Sequence, residues 1–213
     1  MSERNHLTDE EIIHRVLEGE KALFEIIVRR FNATLYKVGR AYNYDLEDTK
    51  DLMQETFINA YNNLSKFEQR SSFRTWLIRI MLNNCYHKKM KAKRIIAHAI
   101  GGEESKYAIK DTCNGTEALI ARRELGHIIE DALLKIPYPY RMTFSLREIN
   151  GLNVAQTAQL LHISETNVKV RLNRAKAMLR KEISKVYVAS ELFEFNLIHC
   201  DQIVETVMKY VNK

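Results

Sequence analysis

Two runs of the 213-residue chain concentrate positive charge. Lys88, Lys89, Lys91, Lys93 and Arg94 place five cations within seven residues, with no acid among them. Between Glu165 and Lys185, the cations Lys169, Arg171, Arg174, Lys176, Arg180, Lys181 and Lys185 outnumber Glu165 and Glu182 by five. The whole chain carries a net charge of only +6, so everything outside these two runs is net acidic by four. One such run is ordinarily a solvated face. Two runs, each closing an amphipathic helix within an acidic background, point to a phosphate backbone held at two places. Binding of that kind releases counterions and weakens steeply with salt.

The second run lies in a stretch that could also read bases. From Val154 to Leu161 and from Glu165 onward the pattern is that of two helices crossing at a short turn, His162-Ile163-Ser164. Ala158 is small where the helices must approach, and Leu161, Ile163, Val168 and Leu172 are apolar where the pair folds onto its support. Ser164 can cap the second helix and leave its first-turn amides facing phosphate. That helix is expected to bury Val168, Leu172, Ala175 and Leu179. Its opposite face would present Asn167, Val170, Arg171, Asn173, Arg174 and Ala177 to a major groove. His162 stands where glycine is usual in such a turn, and histidine tolerates a left-handed backbone better than branched residues do.

Several helices must position these groups. Thr8 and Glu11 form a capping box for a first helix with Ile12, Ile13, Val16 and Leu17 inward, ended by Gly19. A longer helix from Glu20 repeats Leu23, Phe24, Ile27, Phe31, Leu35 and Val38 near the helical period. After a turn at Asn43–Asp45, a third helix runs from about Leu46 to Asn63. Ser72 can cap a fourth, with Phe73, Trp76, Leu77, Ile80 and Met81 on its inner stripe. Residues 96–116 contain Gly101-Gly102 and Gly115 and lose the apolar period, which predicts a linker. Beyond it come a helix capped by Thr116, a break at Ile136–Pro139 with Pro139 at a first helical position, a helix to about Ile149, and the pair Val154–Leu161 and Glu165–Val186. The fold class expected is all-α. Two helical domains, 1–95 and 117–188, are joined by a flexible linker, 96–116, and the second is a helix-turn-helix domain. An amphipathic helical extension, 189–213, follows.

Composition agrees with this reading. Only 7 glycines and 2 prolines occur, and 46% of residues are hydrophobic, which favours helices over a turn-rich or disordered chain. Cys85, Cys113 and Cys200 are far apart and odd in number, so unpaired thiols in a reducing cytoplasm are expected. The polar start has no signal-like apolar stretch, and no run reaches the ~18–20 apolar residues of a membrane span, so no membrane insertion is expected.

Three ordered segments together resemble a known family. They are Asp51-Leu52-Met53-Gln54-Glu55-Thr56-Phe57; then Phe67-Glu68-Gln69-Arg70-Ser71-Ser72-Phe73-Arg74-Thr75-Trp76-Leu77-Ile78-Arg79-Ile80 with Asn83; then Val168-Lys169-Val170-Arg171-Leu172-Asn173-Arg174-Ala175. In this order, split by a linker, they resemble regions two and four of bacterial RNA polymerase sigma factors of the extracytoplasmic-function (ECF) group. The resemblance spans about 20–95 and 117–185.

The resemblance implies core RNA polymerase and promoter DNA as partners, and no catalytic residue, cofactor or metal. It implies that the first segment docks on the clamp of the polymerase largest subunit through Asp51, Gln54 and Glu55, which share one helix face, with Asp48 beside them. The rival idea for these carboxylates is a metal site, but no histidine accompanies them and one helix alone rarely supplies the geometry. The resemblance further implies that Phe67, the loop containing Gln69, Ser71 and Ser72, and Asn83 open the minus-ten element and hold an unstacked base, while Lys88, Lys89, Lys91 and Arg94 follow phosphates. Phe73 and Trp76 fall on the apolar stripe and read as core. Glu68 and Gln69 stand where Arg and Gly are frequent. For the minus-thirty-five duplex the implied set is Ser164, Thr166, Asn167, Lys169, Val170, Arg171, Asn173 and Arg174. Arginine can read guanine and asparagine adenine.

The function expected is therefore that of a sigma factor, which is not itself an enzyme. The alternative is a stand-alone helix-turn-helix regulator that binds duplex DNA as a dimer. It needs neither a clamp-binding face nor a base pocket. A metal-dependent nuclease ranks third, because no GxxxxGK loop and no HExxH are present. The promoter sequence, the inducing signal and whether an anti-sigma factor is a further partner stay open, as does the role of Cys200 and the extension.

Overall fold

The computed structural model describes residues 7–98 and 117–185. Most of the expected linker, the C-terminal extension, Cys113 and Cys200 lie outside the described residues. Within them are eight α-helices and no strand. We number these α1 (Asp9–Leu17), α2 (Phe24–Ala41), α3 (Leu46–Asn62), α4 (Phe73–His98), α5 (Glu117–Lys135), α6 (Tyr138–Phe144), α7 (Val154–Leu161) and α8 (Glu165–Ile183).

Local chemistry sets most boundaries. The Thr8 hydroxyl accepts the Glu11 amide at 3.2 Å, and the Glu11 carboxylate accepts the Thr8 amide at 2.7 Å, closing the capping box of α1. Leu17 is exposed rather than inward, because α1 ends there and Gly19 (φ +112°) turns the chain away. A short 3-10 turn, Lys21–Leu23, precedes α2. Asp45 caps α3 through the Asp48 amide at 2.7 Å. Asn63 ends α3, its side-chain amide donating to the Asn59 carbonyl at 2.9 Å. Pro139 takes the second position of α6 rather than the first, since Pro137 occupies the cap and Tyr138 the first turn position. The helix expected to reach Ile149 finishes as a π-turn, Ser145–Ile149, held by the Asn150 amide on the Ser145 carbonyl at 2.8 Å. α8 ends at Ile183 and not at Val186; the Ser184 hydroxyl donates back to the Lys181 carbonyl at 3.0 Å.

In the first unit α2, α3 and α4 pack on one another around Phe31, Leu35, Leu52, Phe73, Leu77 and Met81. Gly39 lets α2 and α3 approach closely: a Cβ there would sit 2.6 Å from Thr49 Cγ2. In the second unit α5, α6 and α7 pack on α8. The apolar cluster of the first unit runs on into Met142, Leu146, Leu152 and Leu160 of the second. Two modules are thus folded against each other, with α2 meeting α6 and the π-turn.

Candidate nucleic-acid and partner interface

α3 turns one face to solvent. Asp51, Gln54 and Glu55 are all exposed. Ile58, one turn further, is 60% exposed, an unusual setting for a large apolar side chain. Sequence reasoning passed over Ile58, although its spacing of three from Glu55 and four from Gln54 puts it on their face. Asp48 is different. It is half-buried, and its Oδ1 lies 2.5 Å from Lys88 Nζ on α4.

The segment after α3 is held by aromatic packing. Phe67 is half-buried, its ring 5.4 Å from Phe73 and 5.2 Å from Trp76. Gln69 adopts a left-handed backbone (φ 54°) and is exposed. The Ser72 hydroxyl accepts the Thr75 amide at 3.3 Å and so caps α4, while Ser71 is half-buried beside it. Asn83 is exposed, and its neighbour Asn84 donates to the Thr56 hydroxyl at 3.1 Å. Lys91 and Arg94 are exposed further along α4. Lys88 also lies over the Tyr44 ring at 5.8 Å, and Lys89 over the Tyr138 ring at 5.2 Å. Two of the four cations expected to follow phosphates are therefore engaged within the chain.

The helix-turn-helix is present as read. Asn153 and Gln156 form a capping box at the start of α7. His162 takes the left-handed conformation (φ 53°, ψ 47°) that the turn requires. The Ser164 hydroxyl accepts the Asn167 amide at 3.2 Å and caps α8. Val168 and Ala175 are buried, whereas Leu172 and Leu179 are half-buried. Thr166, Lys169, Val170, Asn173 and Arg174 form the exposed face. Asn167 accepts from Arg171 Nε at 3.1 Å, which fixes that guanidinium along the helix.

Among the described residues, no group of three or more His, Cys, Asp or Glu side chains is placed to hold a metal ion. Nor is any helix among them long and apolar enough to cross a membrane. Burial pushes the Cys85 thiol up to about 12, so it stays protonated and unreactive.

The chain matches the family models described as Sigma-70 region 2, over residues 27–95, and Sigma-70, region 4, over residues 126–179. It is 29% identical over 189 residues to the ECF RNA polymerase sigma-E factor of Escherichia coli K12, covering 86% of this chain and 97% of that one. It is 27% identical over 178 residues to the ECF RNA polymerase sigma factor SigM of Mycobacterium tuberculosis, covering 84% and 86%. Two solved structures share the fold. The sigma factor RpoE of Bartonella quintana, in complex with the anti-sigma factor NepR, gives a TM-score of 0.62 at 20% identity, over 77% of this chain and 96% of that one. CnrH in complex with the cytosolic domain of CnrY gives 0.58 at 24% identity, over 82% and 96%. The region-two match covers α3 and most of α4, and the region-four match covers the helix-turn-helix. The chain belongs to the ECF RNA polymerase sigma factors.

Proposed function

We propose that this sigma factor divides its work among three surfaces. The α3 face of Asp51, Gln54, Glu55 and Ile58 docks on the clamp of core RNA polymerase. The loop after α3 and the exposed side of α4, through Gln69, Ser71, Asn83, Lys91 and Arg94, receive the minus-ten element and help to melt it. The α8 face of Lys169, Val170, Asn173 and Arg174, with Arg171, Asn167, Thr166 and Ser164, reads the minus-thirty-five duplex. Phe67 supports the loop from beneath through Phe73 and Trp76.

The single observation that carries this reading is the separation of an acidic and amide face on α3 from the cationic faces of α4 and α8. Electrostatics steers α3 to a basic protein partner and the other two to nucleic acid. A stand-alone regulator has no use for the first of these. The polymerase performs the chemistry, so the chain contributes recognition and melting and no catalytic group. Its working place is the cytoplasm, beside the polymerase. Its domains are 1–95 and 117–188, with 96–116 linking them and 189–213 appended. Two structural relatives are described in complex with an anti-sigma factor or the cytosolic domain of a partner, which supports an anti-sigma factor as a further partner here. The test is run-off transcription by core polymerase reconstituted with the chain. Asp51→Lys with Glu55→Lys is expected to abolish both the transcript and co-purification with polymerase.

A further inference from the structure

Arg141 has no part in the three proposed surfaces, yet it is the one buried Lys or Arg among the described residues, at 8% exposed. Two of its three side-chain nitrogens are engaged. Nε donates to the Ala41 carbonyl, at the last residue of α2, at 2.8 Å. Nη1 donates to the Leu134 carbonyl at 2.7 Å and the Ile136 carbonyl at 3.1 Å, where α5 ends. Nη2 has no hydrogen-bond partner among the described residues, and no carboxylate among them pairs with this guanidinium. Burial lowers its proton affinity, as expected of a cation without a counter-charge. A buried charge in this state is costly, and an anion of fitting shape would relieve it.

Arg141 lines a cavity of about 160 Å³ between α2, α5 and the π-turn. That is close to the ~150 Å³ of an engineered cavity that admits benzene. Its wall is apolar, from Leu133 and Leu134 of α5 and Ile149 of the π-turn. Ser145, 1% exposed, shares the lining. Its hydroxyl accepts from Asn150 Nδ2 at 3.4 Å and donates to no group among the described residues. Neighbouring contacts fix the space. The bond from Arg141 to Ala41 ties α6 to α2, and Tyr42, following α2, meets the Tyr138 ring edge-on at 5.0 Å. A pocket held this way is formed before a ligand arrives.

Charge decides what fills it. Lys37 and Arg40 of α2 join Arg141 on the lining, three cations against the one carboxylate of Glu130. Glu130 is not the missing counter-ion: it approaches Arg40 to 3.9 Å and its side chain is 51% exposed. Lys37 is exposed, with no partner among the described residues. The site therefore favours an anion over a cation or a neutral molecule. The apolar wall offers a bare hydrated ion nothing in exchange for its water. What fits is one carboxylate on a compact apolar body.

We propose that this cavity binds a small aromatic monocarboxylate, with its carboxylate on Arg141 Nη2 and the Ser145 hydroxyl and its ring against Leu133, Leu134 and Ile149. The site uses none of the groups assigned above to polymerase or DNA, so it stands or falls apart from that function. A ligand that binds only the folded chain also stabilises it by mass action.

Saturation-transfer NMR and calorimetric titration of the full chain test this with benzoate, and with benzamide as its neutral isostere. Benzoate is expected to saturate one site per chain and to raise the melting temperature. Benzamide should bind at least tenfold more weakly. Two variants place the site. Leu134→Trp fills the cavity and should abolish binding. Lys37→Glu alters an exposed side chain and should weaken benzoate several-fold while leaving benzamide unchanged. It decides the matter if Leu134→Trp fails to fold, as circular dichroism would reveal. No saturable binding of benzoate, or binding undiminished in either folded variant, would overturn the site. Equal affinity for benzamide would overturn the carboxylate as the recognised group.

Discussion

Lys88 on α4 reaches Asp48 in the first turn of α3, Nζ to Oδ1, at 2.5 Å. The pair joins a residue expected on the polymerase side to one expected on the DNA side. Both side chains are more than a third open to solvent, at 34% and 43%, so the pair adds little to stability. Its consequence under the proposed function is electrostatic: Asp48 would hold back a cation that phosphate would otherwise take.

Asp48→Asn should therefore tighten binding of a non-specific duplex at low salt by a few-fold and leave the melting temperature nearly unchanged. The gain should fade as salt rises. Fluorescence anisotropy at two ionic strengths checks this; weaker binding would show that Lys88 does not serve DNA.

On α3, Ile58→Glu should cost at least tenfold in affinity for core polymerase, about 1.4 kcal/mol or more. Ile58 is exposed, so the fold should shift by no more than ~0.5 kcal/mol. Titration of labelled chain with core enzyme, beside a thermal melt, separates the two effects.

At the base of the first unit, Gly39→Ala should destabilise by about 1–3 kcal/mol, because the new methyl would meet Thr49 Cγ2 at 2.6 Å. Thr49→Ser removes that methyl and should recover part of the loss. Urea unfolding of both single variants and the double variant measures the coupling.

On α8, Arg174→Ala should weaken binding of a selected promoter duplex by roughly 1–3 kcal/mol and relax base preference at one position. Lys169→Ala should weaken all sequences alike and lower the salt slope by about one. Binding isotherms over a salt series distinguish them.

Alkaline pH should destabilise the fold. Burial raises Cys85 from 9.0 to about 12, and raises Tyr44 and Tyr138 in the same direction. The folded state thus keeps protons that the unfolded chain releases. The associated stability is complete below pH ~8.5–9 and drains away as pH climbs through the folded values. The melting temperature should fall between pH 8.5 and 11, and Cys85→Ala should flatten part of that slope.

Much of this was legible from side-chain period and capping chemistry. Thr8 with Glu11, Ser72 and Ser164 each mark a helix start because each supplies an oxygen to an orphan amide; Asp45, read only as part of a turn, does the same for α3 in the structure. The left-handed His162 could be anticipated from the turn it must make. The exposed faces of α3 and α8 follow from spacing alone. The seam between the modules could not be read this way. Arg141 stands in the run Tyr138-Pro139-Tyr140-Arg141-Met142, where nothing local says whether its charge meets water or the carbonyl of Ala41, a hundred residues earlier. Long-range partners such as Tyr42 with Tyr138, and Asp48 with Lys88, depend on how helices dock, which no single helix encodes. Phe67 shows the same limit, since an aromatic before a loop suits base stacking and core packing equally until Phe73 and Trp76 are seen beneath it.

The most direct measurement is run-off transcription from a promoter selected with reconstituted holoenzyme, comparing wild type with the Asp51→Lys/Glu55→Lys variant. Discrete transcripts that require the chain, and that vanish with the variant while its helical content and melting temperature hold, are the predicted result. A chain that neither associates with core polymerase nor directs it to a defined start would contradict the account.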